Sequence, residues 1–179
     1  MKATGNISVL IVVGLMTMIM VSSCGASRNL AGAAGGNETV SHTEAAEALA
    51  SKRFRIDVST YYNTDKSRMK ESVEESYLQM TDGNAKVSMA EDLYKGDRLS
   101  ADIYNFEGNA DIKKIKETRK GNILYEMNIR YQKVSMLFGT YRLKITLFNN
   151  TSECYVEVFR LFGNGSNNVF SFRGIVQPL

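Results

Sequence analysis

Two thiols and one imidazole are the side chains best suited to nucleophilic or metal chemistry in this chain, and their surroundings decide what they can do. Cys24 follows Val21-Ser22-Ser23, just past an apolar run from Ile7 to Val21 that opens behind Lys2. A positive residue, a short apolar run and small residues in that order make a secretory leader. The run is too short to span a bilayer, which takes about 20 apolar residues. Cys154 lies in a strand-like run, Glu153-Cys154-Tyr155-Val156, and reads as a small buried hydrophobe. His42, the only histidine, stands beside a Gly- and Ala-rich stretch, so a Ser-His-Asp or Cys-His arrangement would hang its base on a poorly fixed segment. One histidine and one further thiol do not make zinc's usual ligand set.

The charged clusters carry little more chemistry. Glu71, Glu74 and Glu75, and then Glu91-Asp92, lack the alternation around a turn glycine that a calcium loop requires. Nothing singles out two carboxylates for glycoside hydrolysis, and solvated loop charge is the better reading. Lys113, Lys114, Lys116, Arg119 and Lys120 form a basic cluster diluted by Asp111 and Glu117. No aromatic ladder interleaves it, so nucleic acid is a poor partner. Lysines of this kind guard an exposed strand against edge pairing, and lipid phosphate is the second reading. Gly163-Asn164-Gly165-Ser166 joins two strands and lacks the helix N-terminus of a phosphate cradle, so it reads as a hairpin loop. No cofactor and no metal are expected.

Val21-Ser22-Ser23-Cys24 resembles the lipobox of bacterial lipoproteins, with Val21 in the branched aliphatic slot and two small serines before the cysteine. The resemblance implies that Cys24 is lipidated and that residues 1–23 are a lipoprotein signal peptide removed on maturation. Ala31-Gly32-Ala33 is a competing site at which ordinary cleavage would release a soluble protein, although it lies far beyond the apolar run. With Cys24 acylated, Cys154 has no disulfide partner. The net charge of +3 becomes +2 when Lys2 leaves with the leader, a balance that argues against a strongly charged partner.

Residues 25–40 are rich in Gly and Ala and nearly free of large apolar side chains, so residues 24–40 read as lipidated cysteine plus tether. As a flexible coil the tether spans about 20–24 Å. Residues 41–179 form one domain. Its first element is a short helix over 41–52, opened by a Ser41/Glu44 capping box and burying Ala45, Ala48 and Leu49. After Lys52 the period drops to two: Phe54, Ile56, Val58, Thr60 and Tyr62 alternate with polar residues.

Further strands are expected near Met69–Val73, at Tyr77–Thr81 and Lys86–Ala90 around an Asp82-Gly83 turn, and at Ile103–Phe106, ended by Gly108. Asp111–Thr118, Ile123–Tyr131, Tyr141–Phe148, Glu153–Leu161 and Val169–Val176 complete the set, with Pro178 after the last strand. About eight strands with turns every 8–12 residues predict an all-β, antiparallel up-and-down meander closing into a barrel, with a β-sandwich as the alternative.

Phe106-Glu107-Gly108, Lys120-Gly121-Asn122 with Tyr125, Tyr141 to Phe148, and Phe170-Ser171-Phe172-Arg173-Gly174 resemble the Bacteroides-type lipoproteins of the domain of unknown function 4251 family. Ser51-Lys52-Arg53-Phe54 and Tyr77-Leu78-Gln79-Met80 fit as well, so the resemblance covers about Ser51 to Pro178. It implies a lipocalin-like barrel and brings no established activity. This chain departs from the family between Met89 and Phe106, where AEDLYKGDRLSADIYN replaces a Gly- and Tyr-rich segment.

The expected function is a non-enzymatic envelope lipoprotein that binds a small apolar ligand or a partner protein. The alternative is an envelope hydrolase using carboxylates. Gly25-Ala26-Ser27 after Cys24 carries no acidic residue, and the resemblance to bacterial lipoproteins then implies the periplasmic face of the outer membrane.

Overall fold

A computed structural model describes residues 40–66, 69–71, 73, 75–95, 103–132, 138–162 and 165–179. All belong to one compact unit, Asn37–Leu179. The leader, Cys24 and the tether up to residue 39 lie outside the described residues.

The leading helix, α1 (His42–Ser51), is built by local chemistry. Ser41 and Glu44 form a reciprocal capping box: the Glu44 amide donates to Ser41 Oγ at 3.2 Å and the Ser41 amide donates to Glu44 Oε2 at 2.9 Å. These bonds satisfy two donors that a helix start leaves without partners. Lys52 ends the helix in the left-handed conformation, its amide turned back to Ala48 and Leu49. Ala45, Ala48 and Leu49 are buried, while Glu44 and Glu47 face water as the spacing predicts.

Nine strands follow: β1 (Phe54–Asn63), β2 (Met69–Glu71), β3 (Tyr77–Thr81), β4 (Asn84–Ser88), β5 (Phe106–Glu117), β6 (Ile123–Gln132), β7 (Phe138–Leu147), β8 (Glu153–Phe162) and β9 (Gly165–Pro178). A single turn of helix, α2 (Glu91–Tyr94), lies between β4 and β5. All strand pairs are antiparallel neighbours, and β1 also pairs with β9 from Phe54 opposite Pro178 to Asn63 opposite Phe170. That closing seam makes a lipocalin-like, eight-stranded up-and-down barrel rather than a sandwich. The ninth strand, β2, pairs with β1 at Thr60–Tyr62, and β3 pairs with it at Phe54–Asp57, so the two are halves of one interrupted stave.

Strand alternation sends one side chain in two to the interior, and apolar side chains fill it. Phe54, Ile56, Leu78, Val87, Met127, Leu143, Val156 and Phe172 are all fully buried. The interior is thus a packed core, the usual outcome for a small barrel.

Several boundaries differ from expectation for identifiable reasons. Ile103–Asn105 is a turn, and Gly108 lies within β5 instead of ending a strand. A Cβ at Gly108 would sit 2.1 Å from the Arg130 carbonyl oxygen, so this glycine serves close strand approach and not a turn. Gly174 does the same on β9, where a Cβ would lie 2.4 Å from the Asp57 carbonyl oxygen beside an irregularity in the β1–β9 register.

Asp82 and Gly83 have φ of 50° and 82°, a two-residue turn, so β4 starts at Asn84, two residues before the expected Lys86. β7 begins at Phe138, and β9 begins at Gly165 through a polar run, Ser166-Asn167-Asn168, that alternation does not reveal. Pro178 is the last residue of β9 instead of lying beyond it, at a strand end where its missing N–H is tolerated.

The two ends of the barrel differ. At one end α1 lies against β9, β5 and β1. His42 Nδ1 is 3.0 Å from the Thr151 carbonyl oxygen in the β7–β8 turn, and the Tyr125 hydroxyl donates to the Ala46 carbonyl at 3.4 Å. The Asn149 amide donates to Asn122 Oδ1 at 3.0 Å, joining the β5–β6 and β7–β8 turns. This is the capped end. The opposite end, where β1 and β8 finish and β9 begins, is the mouth.

Candidate functional site

The mouth is organised by the connection from β4 to β5. Its described parts fold back on the barrel through three polar contacts. The Ala90 amide donates to buried Ser76 Oγ at 2.9 Å, and the Met89 amide donates to Asn105 Oδ1 at 2.9 Å. Asn105 Nδ2 then donates to the Tyr94 hydroxyl at 3.1 Å. These bonds set Tyr104 in a stack, with Tyr94 on one side at 4.5 Å between ring centroids and Phe170 on the other at 5.4 Å. Tyr104 is 1% exposed, so an aromatic column closes the barrel core from above. Phe106 on Tyr141 at 3.8 Å and Tyr131 against Tyr141 at 5.3 Å extend this layer across the barrel.

Beside the column a pocket of about 480 Å³ opens at the rim. Thr64 after β1, Ile103 before β5, Arg160 on β8, and Ser166, Asn167, Asn168 and Val169 on β9 line it. Val169 and Ile103 are buried and give it an apolar wall, and the Thr64 hydroxyl ties the two sides by donating to the Val169 carbonyl. Arg160 pairs across the ladder with buried Tyr141 and shares its inward face. The register of β8 and β9 shifts between Val158 and Phe159, just before these polar residues, which is how a polar run reaches the rim of an apolar barrel. Asn168 Oδ1 is buried without a hydrogen-bond partner among the described residues. No carboxylate lines the pocket among the described residues.

A second, smaller groove of about 250 Å³ lies on the outer surface of β3, β4 and β5. Tyr77, Lys86 and Glu107 border it, Asn84 Nδ2 donates across it to Glu107 at 2.6 Å, and the Arg55 guanidinium covers the Tyr77 ring at 4.0 Å. Asn84 and Glu107 satisfy each other there.

The residues singled out from the sequence are scattered. Cys24 lies outside the described residues. Cys154 is fully buried on β8, where burial pushes its thiol well above the ordinary value and leaves it unreactive. His42 is half-buried at the capped end, a contact between α1 and a turn rather than a histidine in open water. Glu71 and Glu75 are exposed, Glu74 lies outside the described residues, and Asp92 forms an ion pair with Lys70. The basic cluster sits on the β5–β6 hairpin at the capped end. Gly163 and Asn164 lie outside the described residues, while Gly165 and Ser166 are already strand, and Ser166 walls the pocket. Sequence reasoning missed Thr64, Ile103, Arg160, Asn167, Asn168 and Val169. One signal was available: in Cys154, Val156, Val158, Arg160 the last residue continues the inward alternation, and a cation on that face marks a rim.

The geometry defines a class: a lipocalin-like barrel with a packed core, one end sealed by a helix and the other carrying a small rim pocket. The family model described as Domain of unknown function (DUF4251) matches residues 37–176, and the chain belongs to that family. The crystal structure of a DUF4251 family protein from Bacteroides eggerthii DSM 20697 shares the fold with a TM-score of 0.55 at 16% identity, over 76% of this chain and 87% of that one. No curated protein matches the chain.

Proposed function

We propose that this protein is a lipoprotein of the bacterial envelope, anchored through Cys24 on the periplasmic face of the outer membrane, whose barrel binds a small molecule at its mouth without catalysis. The rim pocket carries the reading: about 480 Å³ falls in the range of small-ligand sites, and an apolar wall with a few convergent polar groups is their usual lining. The packed interior argues against a molecule enclosed in the barrel, so the ligand is one that sits against the Tyr104 column. An apolar ligand of the kind anticipated from the sequence would use Ile103 and Val169, with the polar groups of Asn168 and Ser166 orienting it. A protein partner has less support, because among the described residues the exposed large apolar ones, Met69, Ile115, Ile175 and Leu179, are spread over β2, β5, β9 and the chain's last residue and make no patch.

Native mass spectrometry of the mature protein, extracted from its own host, tests the proposal. We expect an added small-molecule mass that disappears in Asn167→Trp, which fills the pocket from an exposed position. A bare mass in both proteins would contradict ligand binding. Replacing Cys24 with Ser should move the protein from the membrane to the soluble fraction, and retention in the membrane would refute the anchor.

A further inference from the structure

The β5–β6 hairpin carries a feature that the rim pocket does not use. β5 pairs with β4 only from Phe106 to Asn109, and the last bond on that side joins the Ala110 amide to the Gly83 carbonyl at 2.8 Å. From Asp111 onward the hairpin runs past β4. Residues 113–120 hold five cations against the single carboxylate of Glu117, a net charge of +4. Lys114 is paired with Glu117 at 3.1 Å, but Lys113, Lys116, Arg119 and Lys120 are exposed and have no carboxylate partner among the described residues. Of the nearby acids, Asp111 pairs with Lys52 at 2.7 Å, Glu126 stands opposite Lys113 in the ladder and lies 4.0 Å from Arg142, and Glu44 and Glu47 lie on the solvent face of α1. Among the lysines Ile115, at an irregularity in the β5–β6 register, is 49% exposed.

We infer that this hairpin is a contact surface for anionic lipid headgroups, and that it sets the mouth facing away from the membrane. Exposed cations around an exposed apolar residue are complementary to a surface of lipid phosphates. Position supports the same occupant. The chain enters the domain at Val40 and Ser41, where His42 meets the β7–β8 turn, and that turn is bonded to the β5–β6 turn through Asn122 and Asn149. The point of attachment and the basic hairpin therefore share the capped end, while Arg160 and Ser166 occupy the other. The inference rests on the lipid-anchored reading for what lies upstream of Val40. It differs from edge protection alone, which needs lysines but no particular end of the barrel.

Spin labels test it on the full mature protein, extracted from its host and reconstituted into phosphatidylcholine vesicles with and without phosphatidylglycerol. Buried Cys154 does not take a label, so one can be placed through Ile115→Cys at the hairpin or Ser166→Cys at the mouth. We expect the label at 115 to slow and to lose severalfold in collisions with a water-soluble relaxation agent only when phosphatidylglycerol is present. The effect should vanish in high salt, and in a variant with Lys113, Lys116, Arg119 and Lys120 all changed to Gln. The label at 166 should be indifferent to lipid charge. A 115 label that behaves alike in both vesicles, or shielding at 166 instead, would overturn the inference. Intact mass separates the two readings: if Cys24 carries no acyl group the anchor fails alone, and flotation of the labelled protein with the same vesicles then decides the hairpin contact.

Discussion

The capped end and the mouth of this barrel are built by different kinds of chemistry. The capped end combines local devices, a capping box three residues long, a two-residue turn at Asp82-Gly83 and a helix that leads directly into β1, with hydrogen bonds to backbone groups that tie α1 and the turns together across the chain. At the mouth the contacts are aromatic, with Tyr94, Tyr104 and Phe170 stacked from two parts of the chain, and the pocket is walled from four. The capping box and the tight turn close cheaply in conformational entropy, whereas the stacked column needs the barrel formed first. We read the difference as stability at one end and recognition at the other, with the packed core between them.

Substitutions at the two ends should separate these roles. The largest loss is expected for Leu49→Ala, which empties a fully buried site under α1 and should cost about 2–5 kcal/mol in urea unfolding. Folded Leu49→Ala protein should still carry the co-purifying ligand. Tyr104→Leu keeps an apolar side chain but is smaller and removes two ring stacks, which alone cost about 1–3 kcal/mol, and should release the ligand. A Tyr104→Leu protein that retains ligand would blur the two ends. Ser41→Ala, which breaks the capping box, should cost about 1 kcal/mol and leave the mouth untouched by hydrogen exchange.

The smallest effect belongs to the Lys52–Asp111 pair. The Lys52 ammonium, 2.7 Å away, holds the Asp111 carboxyl below its usual range. A depressed carboxyl stabilises the fold above the unfolded pKa of about 4 and loses that contribution as pH falls through the folded value. The pair is fully solvated, so Lys52→Met should shift the urea midpoint slightly at neutral pH and not at all in strong acid.

The same contrast explains how far the sequence could be read. Ser41 and Glu44, the Asp82-Gly83 turn and the alternation from Phe54 to Tyr62 announce themselves because partner and signal lie within a few residues. The β1–β9 closure leaves no such mark, yet eight strands without covering helices leave few other ways to remove the edges. Gly108 was misleading because a glycine needed by a neighbouring carbonyl looks like one needed by a turn. The rim pocket was illegible for a similar reason. Ser166, Asn167 and Asn168 have the composition of a loop, and only the register shift beyond Val158 shows that they are strand. In the segment between Met89 and Phe106, Tyr94 and Tyr104 form the column at the mouth.

The most direct test of the account is a crystal structure of the mature protein purified from its own host membranes. It should show a bound small molecule against Ile103 and Val169, with the Tyr104 column intact beneath it. A pocket holding only water, with a molecule bound instead on the outer face or at the capped end, would contradict the claim that recognition belongs to the mouth.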